Sequence, residues 1–541
     1  MLRNILTFLL VTLCSLTVAA AEGMPGKAST AGTERLGTVS FPVSCAPHVQ
    51  ATFNKAVALL DSFQYDVSQR MFAEVALQDP QCAMAYWGQA MSLYHQLWAW
   101  PDANTLKRGR EYIEKAQKLA AKSERERQYI HAGTIYYHND PKLDDGARAA
   151  AYSNAMLVVH NRYPHDDNAA ALYALSLVAL RTPSKTERLS NQMAAIAILD
   201  KLFETEPDNP AAAHFLIHAT DTPELAHLGL KAARAYAKIA PDSPHALHMP
   251  AHIFTDLGLW QESIDSNLAS AAAAEKITNA HTDNDSGDQL HALSFLEYAY
   301  LQTGRDADAR VTMEEIKNIP GTSPEDIANY QTMFQAEYLQ ETHQWKEAAA
   351  LTPMPGSYPM MQVQAYTARA IGEARTGDVA RARTDVENLR NSFASMQTAM
   401  KGMGMWDGGQ HSGESLDQLE AEAWIAYAAG KPDEALAKMN AAVDRDGDST
   451  RMGGMPGIPA REMLGDLLLE LHQPAEAFAA YESALKASPD RFDSLYGAAR
   501  AAQLAGNSAA ANHYHTELTR ICGPNADRPE LQEARVSALD R

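Results

Sequence analysis

The chain has 541 residues and a formal net charge of -21. That length exceeds one ordinary hydrophobic core, so several domains or a repeat array are required. So acidic a chain argues against nucleic acid and anionic lipid as partners, and it raises the local concentration of cations.

The first element reads as an export signal, residues 1–21. Arg3 supplies the positive end, Ile5 to Val18 the apolar run, and Ala19-Ala20-Ala21 a small-residue cleavage site. A secreted protein is expected, periplasmic in a Gram-negative host, with no membrane span in the mature chain. Residues 22–46 read as a flexible linker. Cys45 and Cys82 precede predicted helices one repeat apart and could pair in an oxidising compartment, closing a loop worth roughly 4 kcal/mol; two free buried thiols are the alternative. From residue 47 to 400 helical periodicity with Pro and Gly punctuation recurs, and strand signals are almost absent. Met84, Trp87, Met91 and His95 share one helix face, as ligand contacts or as core. Pro207 and Pro241 place helix starts near Pro210 and Pro244. Those helices carry His214-Phe-Leu-Ile-His218 and His245-Ala-Leu-His248-Met-Pro-Ala-His252. Polar or Pro/Met/Gly-rich breaks fall at 278–289, 352–361, 401–415 and 447–459. Met403, Met405, Met452 and Met455 in the last two offer soft donors that would suit copper. The C-terminal part, 416–541, holds the clearest repeat, with Leu464-Gly465, Ala477, Tyr481, Ala484 and Pro489.

That last pattern resembles the tetratricopeptide repeat, in which a Leu-Gly pair opens the first helix, small residues sit where two helices cross, and Pro closes the second. The resemblance implies an all-α superhelix of antiparallel helix pairs whose first helices line a concave face. The strings HFLIHATD and HALHMPAHIF also resemble a group of exported bacterial tetratricopeptide proteins with the pattern H-x-x-x-H … H-x-x-H-M-P-x-H-I, here His214, His218, His245, His248, Met249, Pro250, His252 and Ile253. This resemblance implies fold and export and assigns no activity. The repeat register it implies puts His214, His218, His245, His248 and His252 in the groove. The next helix, aligned by Gly304, adds His291, Ser294 and Tyr298.

Imidazoles spaced i, i+4 share a helix face and can chelate zinc, copper or nickel. Zinc or copper is therefore the expected cofactor, on one or two sites, with Asp221 and Asp256 as nearby ligands or orienting groups. Pro250 either bends the middle helix or starts it. The leading expectation is a periplasmic binding protein holding a transition metal or small ligand in its groove. A metal-dependent enzyme would need an open coordination position, with Asp221, Glu297 or Tyr298 moving protons. A scaffold that takes a peptide or protein partner without metal is the third reading. None of the GxSxG, HExxH or phosphate-loop motifs occurs.

Overall fold

The computed structural model describes residues 34–97, 100–138, 140, 143–182, 184–280, 285–402, 414–446 and 457–532. The expected export segment and Met403, Met405, Met452 and Met455 lie outside the described residues. Those residues form twenty-five α-helices with two short 3-10 turns and no strand. Consecutive helices pack as antiparallel hairpins, and each hairpin stacks on the next, the all-α helical-repeat superhelix that the Pro/Gly rhythm implies. None of the helices is long and apolar enough to cross a membrane.

A left-handed residue recurs in the hairpin turns. His343 and Gly377 hold positive φ 34 residues apart, as do His472 and Gly506. The crossing points carry small residues. Both Gly465 and Gly497 lie flat against the Tyr481 ring, where a Cβ would come within 2.7 and 2.3 Å of its atoms.

Residues 35–46 are not a free linker. They run extended across the ends of four hairpins. The Arg35 N–H donates to Asp242, Thr38 N–H to the Asp208 carbonyl, Asn168 to the Ser40 carbonyl, and Arg125 to the Pro42 carbonyl. Phe41 is fully buried against Phe53, Trp87 and Tyr129. The apolar residues in this segment, Leu36, Val39 and Phe41, gain a core by docking, which offsets the chain entropy lost. Cys45 and Cys82 are disulfide-bonded, and Cys522 is buried outside any disulfide.

The array closes on itself. The Trp260 indole N–H donates to the Asp490 carbonyl at 2.6 Å, and the Asp527 and Arg528 N–H groups donate to the Gly304 carbonyl. Arg491 is wholly buried. It pairs bidentately with Glu462, at 2.9 Å on both oxygens, and with Glu341 at 2.8 Å, and it donates to the Tyr298 hydroxyl. The C-terminal repeats therefore pack against the 286–302 helix.

Candidate metal centre

Two helix starts set up the histidines. Pro210 opens Pro210–Thr220, capped by Asn209, whose side chain accepts from the Ala211 N–H. Pro244 opens Pro244–His248, capped by Ser243. The helical path continues through Met249, at φ -51° and ψ -35°, while Pro250, which has no N–H, interrupts the hydrogen-bond ladder before Pro250–Asp256. Pro250 thus both interrupts and begins a helix, and His245 and His248 lie on a short helical turn of their own. His291 comes from Ser286–Gln302.

The six imidazoles form two groups of three. In the first, the His214 Nε2 lies 3.1 Å from the Nε2 of both His218 and His245. In the second, the His248 and His252 Nε2 atoms are 3.0 Å apart, with the His291 ring 4.5 Å from that of His248. The candidate ligand nitrogens within each group lie within 4.8 Å of one another. Two nitrogens bound to one tetrahedral zinc at 2.0–2.1 Å would sit about 3.3 Å apart. The three closest pairs, at 3.0–3.1 Å, stand near that separation.

Acceptors behind the rings decide which nitrogen carries a proton. The Asp61 carbonyl ends the helix Gln50–Asp61, where the last carbonyls lack helical partners. It accepts from His214 Nδ1 at 2.6 Å. The Asn267 Oδ1 accepts from His248 Nδ1 at 2.7 Å, and the Asn267 amide is oriented by donating to the Ser263 carbonyl. The Asp221 carboxylate lies 3.0 Å from His252 Nδ1 without the alignment of a hydrogen bond. Protons on Nδ1 leave lone pairs on Nε2. The His248 lone pair then points at the His252 Nε2 at 3.0 Å, a contact that either a proton on His252 Nε2 or a cation between the two rings would satisfy.

The two groups match beyond their histidines. The Phe63 ring covers the first, 4.4 Å from His214, 5.3 Å from His218 and 5.8 Å from His245. Phe295 covers the second, 4.9 Å from His248, 4.7 Å from His252 and 5.4 Å from His291. Tyr236 stacks on His214. Burial first, then neighbouring imidazoles, pushes His218, His245 and His248 well below the ordinary histidine range, and His214 and His291 down to about 3. His252 of the second group contributes to the depression of His214 and His218 in the first, so the two groups lie within electrostatic reach.

An open groove is not what surrounds them. His214, His245, His248 and His252 are buried, and only His218 and His291 are half-buried. The Phe63 and Phe295 rings lie against the histidines. The other expected site residues divide. Asp221 adjoins His252, whereas Asp256 closes its helix outside both triads. Ser294 turns back to donate to the His291 carbonyl, because a buried hydroxyl without an outside partner bonds its own helix. Tyr298 is held by Arg491. Trp87 packs in the N-terminal core with Phe41 and Tyr129, where its large apolar ring is most stable. His95 stacks on Tyr65 at 4.0 Å, and Tyr65 in turn stacks on Phe63. Glu297 is buried beside Glu337 and Glu341, away from both triads.

Sequence reasoning missed Asp61, Phe63, Tyr236, Asn267 and Phe295. One signal was available. In Trp260–Asn279 the polar residues Ser263, Asn267 and Ser270 share a buried stripe with Ile264, Ala271 and Ala274, and a polar residue on a buried stripe asks for a partner.

No protein-family model matches the chain, and no curated protein matches it. Solved structures similar to it include the human IFIT1 dimer with m7Gppp-AAAA, at 13% identity over 86% of this chain and 95% of that one, TM-score 0.36. Another is the APC/C hetero-tetramer Cut9-Hcn1, at 11% identity over 91% and 84%, TM-score 0.29. Both scores are below those of chains that share one arrangement throughout, and no ligand or partner is carried over from either.

Proposed function

We propose that this is an exported helical-repeat protein that binds two transition-metal ions, one in each histidine triad. The observation that carries the reading is the pairing of converging Nε2 atoms with acceptors at Nδ1, at Asp61 for His214 and at Asn267 for His248. A histidine that is merely buried needs one partner. It does not need two neighbours aiming lone pairs at the same point. Export is supported by the N-terminal signal pattern and by the Cys45–Cys82 disulfide, which suits an oxidising compartment.

Elemental analysis of purified protein after reconstitution and desalting tests the reading. Two ions per chain are expected, one after His214→Gln with His245→Gln, and one after His248→Gln with His252→Gln. Substoichiometric metal in the wild type, or retention of both ions in either double variant, would overturn it. Of the proton-transfer candidates, only Asp221 adjoins the histidines, so binding is favoured over catalysis.

A further inference from the structure

Resting on that two-ion reading, we infer that the ions are copper held as Cu(I), each three-coordinate between neutral imidazoles under an apolar ring. Three observations support this, the first being the charge of the donors. Each triad offers three imidazoles, with no thiolate or carboxylate among the converging atoms. Neutral donors leave the full charge of the ion in a buried place. The Born cost of burying a charge grows as its square, so a singly charged ion meets about a quarter of the cost of a divalent one. Among the described residues, the carboxylate paired with a triad histidine is Asp221, at 3.0 Å from His252, behind the ring and not on the metal side.

Coordination number is the second observation. Zinc in protein sites is almost always four-coordinate, so a three-histidine site must add water or another ligand. The Phe63 and Phe295 rings lie against all three histidines of their respective triads. An apolar face offers no hydrogen bond to a fourth-position water, which buried water requires. A trigonal Cu(I) needs no such ligand.

The third is duplication. The same composition appears twice, three histidines under one phenylalanine, with His245 and His248 three residues apart serving different triads. With ligands only three residues apart in the chain, two monovalent ions would repel with a quarter of the energy of two divalent ones at the same separation.

The test uses the full-length protein under anaerobic conditions. Cu(I), supplied as its acetonitrile complex, is titrated in competition with bicinchoninate, with and without equimolar Zn(II). X-ray absorption at the copper edge then reports oxidation state and coordination. The expected result is two Cu(I) per chain despite zinc, with an edge and nitrogen shell of three-coordinate Cu(I). His218→Gln and His291→Gln should each remove one copper and leave the other. If either variant fails to fold, the wild-type spectrum still decides. Two zinc ions that equimolar Cu(I) does not displace, or copper retained only as four-coordinate Cu(II), would overturn the copper assignment while leaving the two-ion reading intact. No retention of either metal would overturn both.

Discussion

Replacing Asn267 by alanine should weaken one metal site and spare the other. The Asn267 Oδ1 accepts from His248 Nδ1 at 2.7 Å, inside a fully buried setting. It touches no converging nitrogen. Its work is to keep the His248 proton on Nδ1 and the ring turned so that Nε2 meets His252 at 3.0 Å. Without that acceptor the buried ring either leaves Nδ1–H unpaired, at about 1–3 kcal/mol, or moves its proton to Nε2, which blocks ligation. Loss of such an orienting partner typically lowers metal affinity 10–100-fold, about 1.4–2.7 kcal/mol. The Ser263 carbonyl keeps a helical donor, so the variant orphans nothing on that side. A two-site competition titration should show one affinity reduced by that factor and one unchanged, since the first triad is held by the Asp61 carbonyl instead. Asn267→Asp, which restores an acceptor, should recover the weakened site. If both affinities fall together, or neither moves, the assignment of His248 as a ligand oriented by Asn267 is wrong.

Three further outcomes follow from residues elsewhere in the fold. Arg491→Met should cost about 3–5 kcal/mol near pH 7.5, because Glu341 and Glu462 are left buried without their cation. Burial acts to raise the Glu462 carboxyl, but Arg491 more than offsets it and holds it below the ordinary range. That contribution exists above the unfolded pKa and is lost as pH falls, so the deficit in urea denaturation should shrink toward pH 4. Glu297 has the opposite sign. Burial, then Glu337 and Glu341, pushes it well above the ordinary range, and neither oxygen has a hydrogen-bond partner. The folded state then keeps a proton that the unfolded chain releases above its ordinary pKa. Glu297→Gln should gain on the wild type by up to about 1.4 kcal/mol per pH unit from pH 5 upward, and a gap in melting temperature that does not change with pH would refute this. Gly37→Ala should lose about 2 kcal/mol or more in the same assay, because φ is +83° and the new Cβ would meet the Asp208 carbonyl oxygen at 2.7 Å.

Much of the fold was legible in the residues. Pro210 and Pro244 mark helix starts because proline is welcome at the first helical position, and the helices begin there. The small residues at Gly465 and Gly497 mark crossings because only they let the Tyr481 ring lie against the backbone. Residues 35–46 misled for a physical reason. An extended segment shows no helical period, and its apolar residues find their core only after the helices have assembled.

By itself the sequence determined that the chain is all-helical and that His214 and His218 share a face, since 3.6 residues per turn brings positions four apart together. It could not decide that His245 joins them while His248, about 60° further round the same turn, serves another triad with His252 and His291. That division depends on what the neighbouring helices present. Phe63 comes from a turn some 150 residues before His214, and Phe295 from the helix Ser286–Gln302. Contacts between residues so far apart are set by the stacking of whole repeats, which no local period encodes. The histidines were therefore readable as candidate metal ligands, while their sorting into two matched and covered triads was decided only by the tertiary structure.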